Sequence, residues 1–227
     1  VIELPDLFVR RPEGTAELSH RAHLLGRFFH WKGRSGFDPQ AIKPLIHDKE
    51  ALDVLASLRF TRPPEVVGEV WGEHARGEPD RIGLTARVAL TNFAFRGEGW
   101  SNLSAAVNFT NDMILLTGVD LRRGGQQRLT APEVWVDLKT QTLRVTNVLS
   151  TLDPVEAVRV IGPETVAAIA PYRFAEPPTI RVNGSIQFNT IDTTDLHFDI
   201  EGGAFTWEKF RLPGIRGGLH WVTNRLT

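Results

Sequence analysis

Ile82-Gly83-Leu84-Thr85-Ala86-Arg87-Val88-Ala89-Leu90-Thr91 is the stretch whose reading decides the fold class. Ile82, Leu84, Ala86, Val88 and Leu90 fall at every second position, with Gly83, Thr85, Arg87, Ala89 and Thr91 between them. A period of two places these sets on opposite faces of an extended strand. The polar alternates leave one face in water, as in antiparallel sheets; strands buried on both faces read as continuous apolar runs. Outward from this stretch the same period returns in Leu103, Ala105, Val107 and Phe109, and in Val134, Val136 and Leu138. It returns again from Ile180 to Phe188, and in Leu196, Phe198 and Ile200 around His197 and Asp199. Strands are expected at about 65–72, 82–95, 100–110, 112–121, 128–138 and 141–149.

The chain also repeats itself. Ser35-Gly36-Phe37-Asp38-Pro39 returns as Ser150-Thr151-Leu152-Asp153-Pro154. Arg59-Phe60 with Pro63-Pro64 returns as Arg173-Phe174 with Pro177-Pro178, and Ala94-Phe95 is matched to Ala204-Phe205. Val107 and Phe109 match Leu219 and Trp221; Leu7, Arg10 and Arg11 match Val119, Arg122 and Arg123. Matches in one order at a nearly constant offset mark a tandem duplication. Two units are expected, 1–113 and 114–227, forming one continuous sheet.

Each unit holds one segment of different period. Ile42, Leu45, Ile46, Leu52, Leu55 and Leu58 follow Asp38-Pro39, and Val155, Val158, Ile161, Val166, Ile169 and Tyr172 follow Asp153-Pro154. These spacings suit amphipathic helical crossovers over about 39–59 and 154–172. Asp at the N-cap with Pro at the first helical position starts each one. Pro44 and Pro163 interrupt them, and the Pro-Pro pairs force an extended exit. The fold class is thus mainly β with minor α: an elongated, curved antiparallel sheet from about two tandem repeats.

Composition narrows the function. The 227 residues carry 26 basic and 27 acidic side chains, a formal net charge of −1. Such balance argues against nucleic acid as a partner, since phosphate binding needs surplus Lys and Arg. The absence of cysteine excludes disulfides, thiolate nucleophiles and Cys-based metal sites. No 18-residue apolar run offers a membrane-spanning helix. The chain starts at Val1 and its single methionine is Met113, which points to a segment of a longer protein.

No catalytic constellation stands out. There is no Gly-x-Ser-x-Gly elbow, no phosphate-cradling Gly-rich loop and no dinucleotide fingerprint. His20 and His23 are three apart, but their context reads as strand, where such a pair faces opposite ways. Asp192, Asp195 and Asp199 sit in a Thr-rich stretch that reads as a turn. Arg122-Arg123-Gly124-Gly125-Gln126-Gln127-Arg128 reads as a solvated basic hairpin loop, with contact to lipid phosphates as the alternative. Neither a catalytic residue, a metal nor a cofactor is expected.

Phe60-Thr61-Arg62-Pro63-Pro64-Glu65-Val66-Val67-Gly68-Glu69-Val70, its echo from Phe174 to Ile186, and the run from Ala204-Phe205-Thr206-Trp207 to Gly217-Gly218-Leu219-His220-Trp221 resemble the AsmA-like family. This is the AsmA, TamB and YhdP type of bacterial envelope protein, similar in turn to bridge-like lipid-transfer proteins built from repeating β-groove modules. The resemblance implies a gutter-shaped sheet whose apolar face holds acyl chains of phospholipid between membranes, without covalent chemistry. It also implies a periplasmic or envelope location, a parent chain anchored in the inner membrane, and membrane proteins as partners at either end. Expected lining residues are Leu84, Ala86, Val88, Leu90, Val107, Phe109, Leu196, Phe198, Ile200, Leu219 and Trp221. The sequence leaves open whether their shared face is a groove or a core beneath the crossovers. Rival expectations are a scaffold or assembly factor for outer-membrane components and, less favoured, a carbohydrate-active β protein using facing carboxylates.

Overall fold

A computed structural model of the chain describes residues 1–47, 49–74, 77, 80–160, 166–167, 169–187, 190–223 and 225–226. The protein is mainly antiparallel β with minor helix, built on one large open sheet. The first seven strands are β1 (Ile2–Arg11), β2 (Gly14–His23), β3 (Phe28–Ser35), β4 (Leu58–Phe60), β5 (Glu65–Glu73), β6 (Arg81–Phe95) and β7 (Glu98–Thr110). Then come β8 (Met113–Arg122), β9 (Arg128–Asp137), β10 (Thr142–Ser150), β11 (Tyr172–Phe174), β12 (Thr179–Gln187) and β13 (Thr190–Gly202). The last four are β14 (Phe205–Trp207), β15 (Phe210–Leu212), β16 (Ile215–Val222) and β17 (Arg225–Leu226).

Hydrogen bonding follows chain order through β1-β2-β3-β5-β6-β7-β8-β9-β10-β12-β13-β16-β17. β4 pairs onto β6, and β11, β14 and β15 form a separate small sheet. The six strands expected between the crossovers appear within two residues of the expected ends.

Both crossovers start as expected, and helical backbone returns at 166–167 and 169 late in the second. The first is a 3-10 helix, Pro39–Leu45, followed by α1 (Lys49–Ser57); Asp38 caps it by accepting from the Gln40 N–H. Pro44 lies inside the 3-10 segment, where the lost N–H stops regular α geometry from setting in. The second is α2 (Pro154–Val158), five residues long, with Asp153 accepting from the N–H groups of Val155 and Glu156. Ile161 and Pro163 of the expected 154–172 span lie outside the described residues, as does Phe188 of the strand alternation.

Matching backbone bonds recur at the two crossover corners. Thr61 N–H donates to Asn92 O at 3.2 Å, and Ala175 N–H to Ala204 O at 3.0 Å. Arg96 N–H donates to Ser57 O, and Glu208 N–H to Pro171 O; Arg96 and Glu208 both have φ of 50°. Asn111 N–H donates to Ile82 O, and Thr223 N–H to Thr194 O. These pairs also correct one sequence match. Phe60 pairs with Phe93, and Phe174 with Phe205, so Phe205 is the counterpart of Phe93 and not of Phe95. A shared Ala-Phe dipeptide had suggested the wrong frame.

The closed core lies at the crossover end. Leu90, Phe93, Trp100 and Leu152 form a buried cluster, with Val88, Leu103, Leu121, Leu129, Ala157 and Val160 packed against it. Leu152 enters just ahead of α2, and Ala157 and Val160 lie on and after it. The second crossover therefore roofs strands of the first unit.

Candidate functional site

Register turns alternating strands into rows. Residues directly opposite one another in a sheet share a face. One row crosses the sheet through Leu7, Leu18, Gly33, Gly68, Ala86, Val107, Leu116, Val134, Val145, Gly184, Leu196 and Trp221. A neighbouring row runs through Trp31, Val70, Leu84, Phe109, Ile114, Val136, Leu143 and Ile186. Towards the crossovers, Val182 stands opposite Phe198 and Phe198 opposite Leu219. Twelve strands at about 4.8 Å spacing make this band roughly 50 Å wide.

Two local devices keep the band on one face. The β7–β8 register slips by one residue between Ser104 and Ala106, and Gly118 there has φ of 61°. The extra residue turns Val119 and Leu121 to the side already occupied by Ile114 and Leu116. A second slip lies between Val145 and Val148 of β10, where Asn147 has φ of 51°. Gly68 is needed for a different reason: a Cβ there would stand 2.3 Å from Thr85 O and 2.6 Å from Ala86 Cα.

All eleven expected lining residues sit in or beside this band, in two environments. Leu84, Val107, Phe109, Leu196, Phe198, Ile200, Leu219 and Trp221 are half-buried. Ala86 is buried by its neighbours within the sheet. Leu90 belongs to the closed core under α2, and Val88 packs against that core. The face is therefore core at the crossover end and carries half-buried side chains away from it. Ile114, Leu116, Val134 and Val145 complete the band, each directly opposite a residue already in it.

The opposite face is charged. Arg34 pairs with Glu65 at 3.2 Å, Arg21 with Glu3 at 3.2 Å, and His30 with Glu69 at 3.1 Å. Exposed pairs of this kind contribute about 0–1 kcal/mol each; their main consequence is a wet face. His20 is the exception on the apolar side, stacked on Trp31 at 4.0 Å with a buried Nδ1 that has no partner among the described residues.

The basic loop is internally neutralised. Asp120 accepts from Arg122 and Arg128, whose guanidinium groups hold its carboxyl down at about 2. Arg123 donates to Glu98 at 2.6 Å, pairs with Glu156 of α2 at 3.3 Å and lies over the Trp100 ring. Arg123 thus ties one end of the loop to the roof of the core, while Arg122, Gly124, Gly125, Gln126 and Arg128 stay exposed as in a solvated turn.

A third feature was missed in the sequence. Asp195 and His197 alternate along β13, and His220 of β16 stands directly opposite His197. Asp195 Oδ1 lies 2.8 Å from His220 Nε2 and 3.4 Å from His197 Nε2. The hydrogen bond with His220, helped by the charges of both imidazoles, holds the Asp195 carboxyl below its ordinary range. Finding this group required the pairing of two strands separated by the β14–β15 excursion.

Compared with protein-family models, curated proteins and solved structures, the chain matches none. Among the described residues, no helix is long and apolar enough to cross a membrane.

Proposed function

We propose that this chain is a lipid-binding segment of an AsmA-like cell-envelope protein, whose apolar sheet face holds the acyl chains of phospholipid and shields them in passage between membranes. The apolar rows in register across the open sheet carry this reading. An acyl chain offers no directional bonds, so recognition needs only apolar area; each buried methylene contributes about 0.8 kcal/mol. A band about 50 Å wide gives many equivalent places to lie, which suits a carrier surface better than a single pocket. The charged opposite face keeps the far side of the sheet in water. No bond is made or broken in this role. The parent chain would work in the periplasm, anchored in the inner membrane, with membrane proteins at its ends.

The test is mass spectrometry of the organic extract of purified protein, which should contain phospholipid. Phe198→Asp and Val107→Asp, one in each unit and both away from the closed core, should reduce the lipid recovered while the β circular-dichroism spectrum is kept. Folded wild-type protein free of lipid would sink the proposal and favour the scaffold reading.

A further inference from the structure

We propose that Asp195, His197 and His220 form a binding site for a first-row divalent metal ion, with zinc the best fit. The site lies on the charged face of the sheet, opposite the apolar band, and is independent of lipid binding. The three side chains each offer a ligand atom, and these atoms all lie within 4.8 Å of one another. Zinc bonds of about 2.0–2.1 Å in tetrahedral geometry require ligand atoms roughly 3.3 Å apart. The two Asp195–His separations, 2.8 and 3.4 Å, bracket that value. The His197 and His220 rings stack with centroids 3.7 Å apart and planes 17° from parallel, both with Nε2 near the same carboxylate oxygen. An ion would require the two stacked rings to turn their Nε2 atoms toward it in place of the shared carboxylate oxygen.

The ligand types select the metal class. Two imidazoles and one carboxylate suit zinc and its first-row neighbours. Calcium and magnesium prefer shells of oxygen. The site is open to solvent, with side-chain exposures of 60% for Asp195, 58% for His197 and 37% for His220, so water would complete the coordination. Asp199 follows two residues further along β13 on the same face and adds negative charge nearby. Among the described residues no other histidine belongs to such a group; His30 and His74 each pair with a carboxylate, Glu69 and Asp80. A bound ion would tie β13 to β16 near one edge of the sheet.

The test is a zinc titration of the metal-free, otherwise intact protein against a chromogenic chelator, read together with its thermal midpoint. One equivalent should bind per chain, and the midpoint should rise. His220→Ala and His197→Ala should each weaken that binding at least about tenfold, as expected for loss of one of three ligands, and abolish the thermal shift. Their circular-dichroism spectra should match the wild type, because these side chains face solvent. His30→Ala should bind as the wild type does. Failure of the wild type to bind, or binding that survives both His197→Ala and His220→Ala, would overturn the assignment.

Discussion

The two crossover corners share a backbone plan and differ in what covers them. In the first, β4 pairs onto the end of β6, and Leu90, Phe93 and Trp100 lie beneath Leu152, Ala157 and Val160. In the second, β11, β14 and β15 repeat the pairing as a separate sheet. Phe205 stacks on Phe174 at 5.4 Å and is buried, as Phe93 is. The positions of Leu90 and Trp100 are taken by Gly202 and Leu212, and Trp207, Phe210 and Leu212 are exposed. Gly202-Gly203 and Pro213-Gly214 mark where the long strands of this unit break. Local hydrogen bonds and the Phe-x-x-Pro-Pro exit therefore suffice to shape the corner. Burying it takes a helical roof, and the roof of the first corner comes from the next unit along the chain.

The largest expected effect tests this difference directly. Trp100→Ala should cost about 3–5 kcal/mol of stability, as for other buried aromatics, whereas Leu212→Ala at the matching position should cost less than about 1 kcal/mol. Urea unfolding of both variants measures the contrast, and equal losses would break it. Next, Leu152→Ala should cost about 3 kcal/mol although it lies outside the unit it covers. Its exposure is 2%, and the loss should appear in Trp fluorescence as well as in the midpoint.

A smaller contrast separates the matched hairpins. Arg123 joins Glu98 and Glu156 where its side chain is 18% exposed, while Arg11 meets Glu13 in the open at 60% exposure. Arg123→Ala should cost about 2 kcal/mol and Arg11→Ala at most about 0.5 kcal/mol. The smallest effect is a pH dependence. Asp120 titrates at about 2, below its ordinary value of 3.8, and its counterpart in the first unit is Phe8. A lowered carboxyl contributes stability that is complete above its unfolded pKa and is lost as pH falls through the folded one. Asp120→Asn should therefore be less stable than wild type at neutral pH, with the gap closing between about pH 4 and 2. Urea midpoints at several pH values would show a constant gap if the carboxylate were not responsible.

Much of the fold was legible because a strand's period and a helix's start are local. Ile82–Leu90 and Leu196–Ile200 announced their strands, and Asp38-Pro39 and Asp153-Pro154 announced both crossovers. The division of the first crossover into a 3-10 segment and α1 was not, since apolar spacing runs unbroken from Ile42 to Leu58. Pairing was legible only in outline. The bulges at Gly118 and Asn147 change which residues share a face, and nothing in a period of two reveals them. Leu90 carried the same alternation as Leu84, yet one lies under a roof and the other does not; that depends on where a helix over 60 residues later comes to rest. His197 and His220 belong to different strands, so their meeting is a property of register.

The placement of Leu152, Ala157 and Val160 over the preceding strands has a thermodynamic consequence. A cut after residue 113 would strip the lid from Leu90, Phe93 and Trp100, so the chain is not a pair of separable beads. Neighbouring modules are coupled through a shared interface, as in solenoids, and melting of α2 would loosen the strands before it. The 227 residues should accordingly unfold in one cooperative step rather than half by half.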